Sequence, residues 1–110
     1  MGTVLETKFT KAVPQAVIPA IAPTLANQGV EVPTDPTLNE AAAVGFDDSV
    51  GAQSIEVWHY YGTTWYKAAS STTDAVAQKY VFSFMITPRP TRVCLVGTAN
   101  ITTAEFYFGR

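Results

Sequence analysis

The side chains able to do chemistry are few in this chain and stand far apart. His59 is the only histidine and Cys94 the only cysteine among 110 residues. An activated nucleophile needs a base within hydrogen-bond reach. The one imidazole on offer lies inside Trp58-His59-Tyr60-Tyr61, a run suited to a packed strand. Neither a Gly-x-Ser-x-Gly elbow nor a His-Glu-x-x-His pair occurs. Paired carboxylates would have to meet in the fold, and the nine acidic residues occupy mostly turn and edge positions without a focus. Asp47 and Asp48, between Gly45 and Gly51, carry the oxygen type that calcium takes, but an Asp-rich turn equally bonds its own backbone. Cys94 sits in Arg92-Val93-Cys94-Leu95-Val96, where a thiol packs as a small apolar group and stays inert. The expectation is a non-enzymatic chain with no catalytic residue, no metal site and no cofactor.

Binding-type residues concentrate in one place. Trp58, Tyr60, Tyr61, Trp65 and Tyr66 fall in a single stretch, read as two strands joined at Gly62-Thr63. Strand alternation puts Ile55, Val57 and His59 on one face and Glu56, Trp58 and Tyr60 on the other. Part of the aromatic set therefore points away from the core. Such rings pair across strands, anchor a subunit interface, or stack on a sugar; Trp58, Tyr60, Trp65 and Tyr66 are the platform in that last case.

The elements that position these residues are strands. Fifteen threonines, twelve valines and thirteen aromatic residues suit pleated, half-buried surfaces. Residues 3–11 alternate, with Leu5 and Phe9 on one face against Glu6, Lys8 and Thr10 on the other. The apolar stretch that follows is broken by Pro14, Pro19 and Pro23, so it is an edge strand or an extended strap. Residues 39–44 read as about a turn and a half of helix, capped by Asn39 and stopped by Gly45. A strand at 54–61 and another at 64–68 make the hairpin, and 69–74 is a polar loop. The strand at 77–86 is apolar on both faces, hence central or set against another subunit. Strands at 92–97 and 101–108 complete the set, the last with Ala104, Phe106 and Phe108 inward. The predicted fold is all-β: one small antiparallel sandwich or barrel-like domain. It divides into a strand and Pro-rich arm (1–36), a connecting loop (37–52) and a sandwich core (53–110).

Bulk properties narrow the partners. Seven basic residues against nine acidic ones leave a formal net charge of −2, and the basic residues are scattered, Arg89 and Arg92 having prolines and Thr91 as neighbours, which argues against nucleic acid. No apolar run reaches the roughly 20 residues of a membrane-spanning helix. The first ten residues lack the basic region of a signal peptide. Asn100-Ile101-Thr102 matches a glycosylation acceptor, which carries no weight without a secretory signal. Charged residues are only 15% of the chain, against about a quarter in typical soluble domains. A surface so poor in charge is compact or partly covered by a partner.

The patterns Ile55-Glu56-Val57-Trp58, Gly62-Thr63-Thr64-Trp65-Tyr66, Lys79-Tyr80-Val81-Phe82 and Thr91-Arg92-Val93-Cys94-Leu95-Val96, closed by the strand at 101–108, resemble the small β-sandwich accessory proteins of tailed-phage virions. The likeness covers the second half of the chain. It implies a capsid decoration (cement) or head–tail joining protein, made in the host cytoplasm and carried in the virion. Its partners would be copies of itself and other virion proteins, with neither nucleic acid nor membrane. The Pro-rich arm then lies across a neighbour, with Val13, Val17, Ile18, Ile21 and Leu25 as its interface, in a closed cyclic assembly such as a trimer. The strand, Gly-x-x-Trp, strand texture also resembles carbohydrate-binding sandwich modules, the alternative reading.

Overall fold

The computed structural model describes residues 9–47, 51–73, 79–98 and 101–110, with the side chains of Thr10 and Lys11 left aside. Eight strands run in the order β1 (Phe9–Pro14), β2 (Val30–Glu31), β3 (Glu40–Asp47), β4 (Ser54–Tyr61), β5 (Thr64–Thr72), β6 (Lys79–Met85), β7 (Arg92–Gly97) and β8 (Ile101–Gly109). They form two antiparallel sheets of four, ordered β1-β8-β3-β6 and β2-β7-β4-β5. The fold is the expected all-β sandwich. Leu5, Glu6, Lys8, Asp48, Asp74 and Asn100, to which the sequence assigned strand, turn or acceptor roles, lie outside the described residues.

The core fills the space between the sheets. One sheet contributes Ala41, Ala43, Phe84, Phe106 and Phe108, and the other Ile55, Val57, Val93 and Leu95. Here the expected helical turn and connecting loop are corrected: residues 40–47 are a strand paired on both sides, with β6 and with β8. The alanines explain why. Ala41 lies between Phe84 and Phe108, and Ala43 between Phe82 and Phe106. The Phe84 and Phe106 rings meet edge-on with centroids 6.0 Å apart. A small residue between two large ones lets the rings close over the strand, and that packing outweighs the helix preference of three alanines.

Gly45 is mid-strand, not a helix stop. A Cβ there would lie 2.1 Å from Tyr80 Oη and 2.2 Å from Thr103 O. The bare backbone lets the Tyr80 hydroxyl cross β3 and donate to Thr103 O on β8 at 2.5 Å.

Two further boundaries differ from expectation. β5 continues to Thr72 through a bulge opposite Val57 and Trp58, so 69–72 is strand and not loop. β6 is the last strand of its sheet, not a central one. Its apolar outer side chains, Val81 and Met85, are exposed.

Candidate functional site

Residues 15–29 run outside regular secondary structure past Pro19 and Pro23, turn at Leu25–Gln28, and tie the two sheets together along one side. Pro14 ends β1, and the next amide, Gln15 N, still bonds Ala104 O on β8. The Gln15 side chain turns to the other sheet. Its Oε1 accepts from Leu95 N at 2.8 Å, and its Nε2 donates to Leu95 O at 2.9 Å. Gly97 N then donates to Pro19 O at 3.0 Å. β2 pairs with β7 only at Val93 and Arg92, so Leu95 and Gly97 face no strand on that side. The strap supplies what a neighbouring strand would.

Farther on, the strap crosses the outer face of the β2-β7-β4-β5 sheet. Trp65 Nε1 donates to Leu25 O at 3.0 Å. Thr24 N and Leu25 N both donate to Gln28 Oε1 at 2.7 Å. Arg92 reaches Gln28 O, Asn27 O and Gly29 O at 2.8–3.1 Å. Gly29, at φ 70°, lies so close to β7 that a Cβ would meet Val93 O at 2.1 Å. Beneath the strap sit Trp65, Cys94 and Val96, with Trp58 and Tyr60 packed beside them. The arm expected to lie across a neighbour thus lies, over its described length, on its own sandwich: the aromatic outer face gives it apolar surface to cover.

The five arm residues separate accordingly. Val13 and Ile18 pack against the core. Val17, Ile21 and Leu25 remain 73%, 76% and 60% exposed. All three stand on a segment that is tied to the sandwich by the Gln15 side chain and by the Pro19 and Leu25 carbonyls.

The platform residues also separate. Trp65 is buried under the strap; Trp58 and Tyr60 are half-buried. The Tyr60 and Trp65 rings are 4.9 Å apart, and Trp58 Nε1 donates to Glu56 Oε1 at 2.9 Å. Tyr66, opposite His59 on β4, belongs to the other face of the sheet. The four residues do not share one flat exposed face.

Across the molecule, the two sheets part between β5 and β6. A cleft of about 500 Å³ opens there, lined by His59, Tyr61, Tyr66, Phe84 and Met85 among others. His59 is buried, and desolvation holds its imidazole well below the usual range, at about 4. Tyr61 Oη donates to Pro88 O at 2.6 Å and lies 3.3 Å from His59 Nδ1. With that hydroxyl proton directed at Pro88, the geometry suits an Nδ1–H donor, leaving Nε2 an acceptor without a partner among the described residues. Among the described residues no carboxylate lines this cleft.

Cys94 is buried and its thiol is pushed up to about 11, chiefly by desolvation. Asp47 is fully buried at the end of β3, and no group of three or more metal-ligating side chains occurs among the described residues. Arg89, three residues from Arg92, donates to Pro33 O, Asp35 O and Leu38 O. Both guanidinium groups thus hold loop carbonyls. The chain matches no known family, no curated protein and no solved structure.

Proposed function

We propose that this chain is a non-enzymatic structural protein of a virion, a capsid decoration or head–tail joining component, which acts by docking its strap against another protein. The observation that carries the reading is the row Val17, Ile21 and Leu25. These large apolar side chains stand exposed on a segment that is itself anchored at Gln15, Pro19 and Leu25. An apolar row held in one conformation before binding loses little entropy on docking. Exposed apolar side chains grouped on one segment, unlike ones scattered singly, mark an interaction surface. The resemblance of the second half to phage accessory proteins supplies the context. The sugar-binding alternative has less behind it, because its platform residues divide between two faces and Trp65 is covered.

The test leaves the whole N-terminal arm in place, since deleting it would strip β1 and Gln15 from the sandwich. A Val17→Ser, Ile21→Ser, Leu25→Ser variant should unfold at the wild-type temperature yet no longer co-sediment with particles of the virus that encodes the chain. Equal incorporation of variant and wild type, or absence of the wild-type chain from purified particles, overturns the proposal.

A further inference from the structure

Strand edges invite pairing with other chains, and folded proteins guard them. Three of the four edges here are guarded. β1 carries a bulge between Phe9 and Lys11 and ends in Pro14. β2 is two residues long, with Pro33 soon after. β5 is bent by a bulge and carries Lys67. β6 is different. Its register with β3 is unbroken from Glu40 opposite Met85 to Phe46 opposite Lys79. Between Tyr80 and Met85 it holds neither charge nor proline, and among the described residues it has a strand on one side only.

The backbone parity of that edge follows from one bond. Ile86 N donates to Asn39 O on the β3 side, so by alternation the peptide groups of Phe84, Phe82 and Tyr80 also point to β3. Those of Val81, Ser83 and Met85 point out to the open edge. An added antiparallel strand must bond to these three residues.

We infer that β6 is a joint between two copies of this chain, paired antiparallel about a two-fold axis at Ser83, so that the two β1-β8-β3-β6 sheets become one sheet of eight strands. A second copy suits this edge because the strand complements itself in this register. Ser83 faces its own symmetry mate, and Val81 faces the partner's Met85 twice over. The two exposed side chains, 67% and 53% accessible, are thereby set against each other as cross-strand apolar pairs. On the inner side Phe82 meets the partner's Phe84, extending a row of rings whose centroids already lie 5.9 Å apart. Lys79 falls at the end, away from its own mate, so no like charges oppose. Shifting the axis to Phe82 or Phe84 keeps the peptide parity but sets Val81 or Met85 against serine. The joint uses different residues from the strap row, on the opposite side of the sandwich, and so goes beyond the docking reading.

The test is the solution mass of the full chain by light scattering across a concentration series. Wild type should reach twice the 11.8 kDa chain mass. Val81→Glu sets a carboxylate against the partner's Met85 and should give the single-chain mass, with unchanged circular dichroism because position 81 is exposed. Adding Met85→Lys places opposite charges across the joint twice and should restore the doubled mass. Single-chain mass for wild type up to roughly 1 mM, a doubled mass that survives Val81→Glu, or a failure of the second substitution to restore it, each overturns the inference. The strap triple variant should keep the doubled mass; if it alone abolishes the dimer, the joint lies at the strap and not at β6.

Discussion

The carboxamide of Gln15 bonds both backbone groups of Leu95, accepting from N at 2.8 Å and donating to O at 2.9 Å. A side-chain amide thereby takes the place of a strand peptide at an edge where prolines deprive the crossing segment of backbone donors. The same residue keeps its own N–H on β8, so one position links the two sheets.

Removing that carboxamide should be costly because it leaves two buried backbone groups unpaired. Gln15→Ala is expected to lower unfolding stability by about 2–4 kcal/mol, measured by chemical denaturation. Gln15→Glu should cost a similar amount at neutral pH, because a carboxylate can accept from Leu95 N but cannot donate to Leu95 O. Acidification should then recover part of the loss as the carboxyl gains a proton it can donate. Indistinguishable curves for wild type and Gln15→Ala would mean that the edge of β7 is satisfied another way.

Gly45 and Tyr80 make the second prediction. A methyl at position 45 meets both the tyrosine ring and the Thr103 carbonyl, and the carbonyl belongs to a paired strand that cannot yield. Gly45→Ala should destabilise by about 3 kcal/mol. Tyr80→Phe removes only the hydroxyl that bonds Thr103 O and should cost about 1 kcal/mol. Because the backbone clash remains, adding Tyr80→Phe to Gly45→Ala should not restore stability in denaturant titrations.

These two glycine and glutamine positions also show where the sequence was readable. Whereas 92–97 was legible as an apolar run after Pro88 and Pro90 and is buried throughout after Arg92, alternation disclosed the strand at 54–61 and most of that at 101–108, where buried and exposed residues take turns. It misled at Glu40–Asp47, where alanines chosen to fit between phenylalanines carry a helical local preference and the deciding rings lie some 40 to 65 residues away in sequence. The prolines left an edge strand or an extended strap open, and the segment is a strap with bends and a turn. What the strap covers depends on Gln15 meeting Leu95, eighty positions later, and no local pattern reports a contact of that span. The visible signal was a single polar residue set within an apolar, Pro-rich run. Of the arm residues, spacing alone could not separate Val13 and Ile18, which face the core, from Val17, Ile21 and Leu25, which do not.

His59 gives the chain a pH dependence of definite sign. Burial lowers its folded-state value from 6.5 to about 4, so between those limits the unfolded chain binds more protons than the folded one. This contribution to stability is therefore complete above about pH 6.5 and is lost as pH falls towards 4, by up to about 3 kcal/mol. His59→Leu should flatten the slope of unfolding free energy against pH in that window. An unchanged slope in the variant would mean that the acid sensitivity arises in carboxylates and that His59 protonates without cost.

The thiol of Cys94 offers a reporter on the strap. It lies on the outer face of β7 beneath residues 15–29, and Gln15 Nε2 stands 3.6 Å from its sulfur. With its ionisation pushed up to about 11, roughly one thiol in a thousand is thiolate at pH 8 even before access is counted. Alkylation in the native state should therefore be slow and should proceed through opening of the strap. Gln15→Ala loosens that anchor and should raise the labelling rate at least tenfold, by the hydrogen bonds it removes. The slope of the rate against denaturant separates local from global opening: lifting the strap exposes little surface and gives a shallow dependence, whereas unfolding gives a steep one. The Val17→Ser, Ile21→Ser, Leu25→Ser variant should label at the wild-type rate, because those side chains face solvent and none of them holds the strap down. Faster labelling in that variant would show that the outer row contributes to folding, and would remove the ground for treating it as a docking surface.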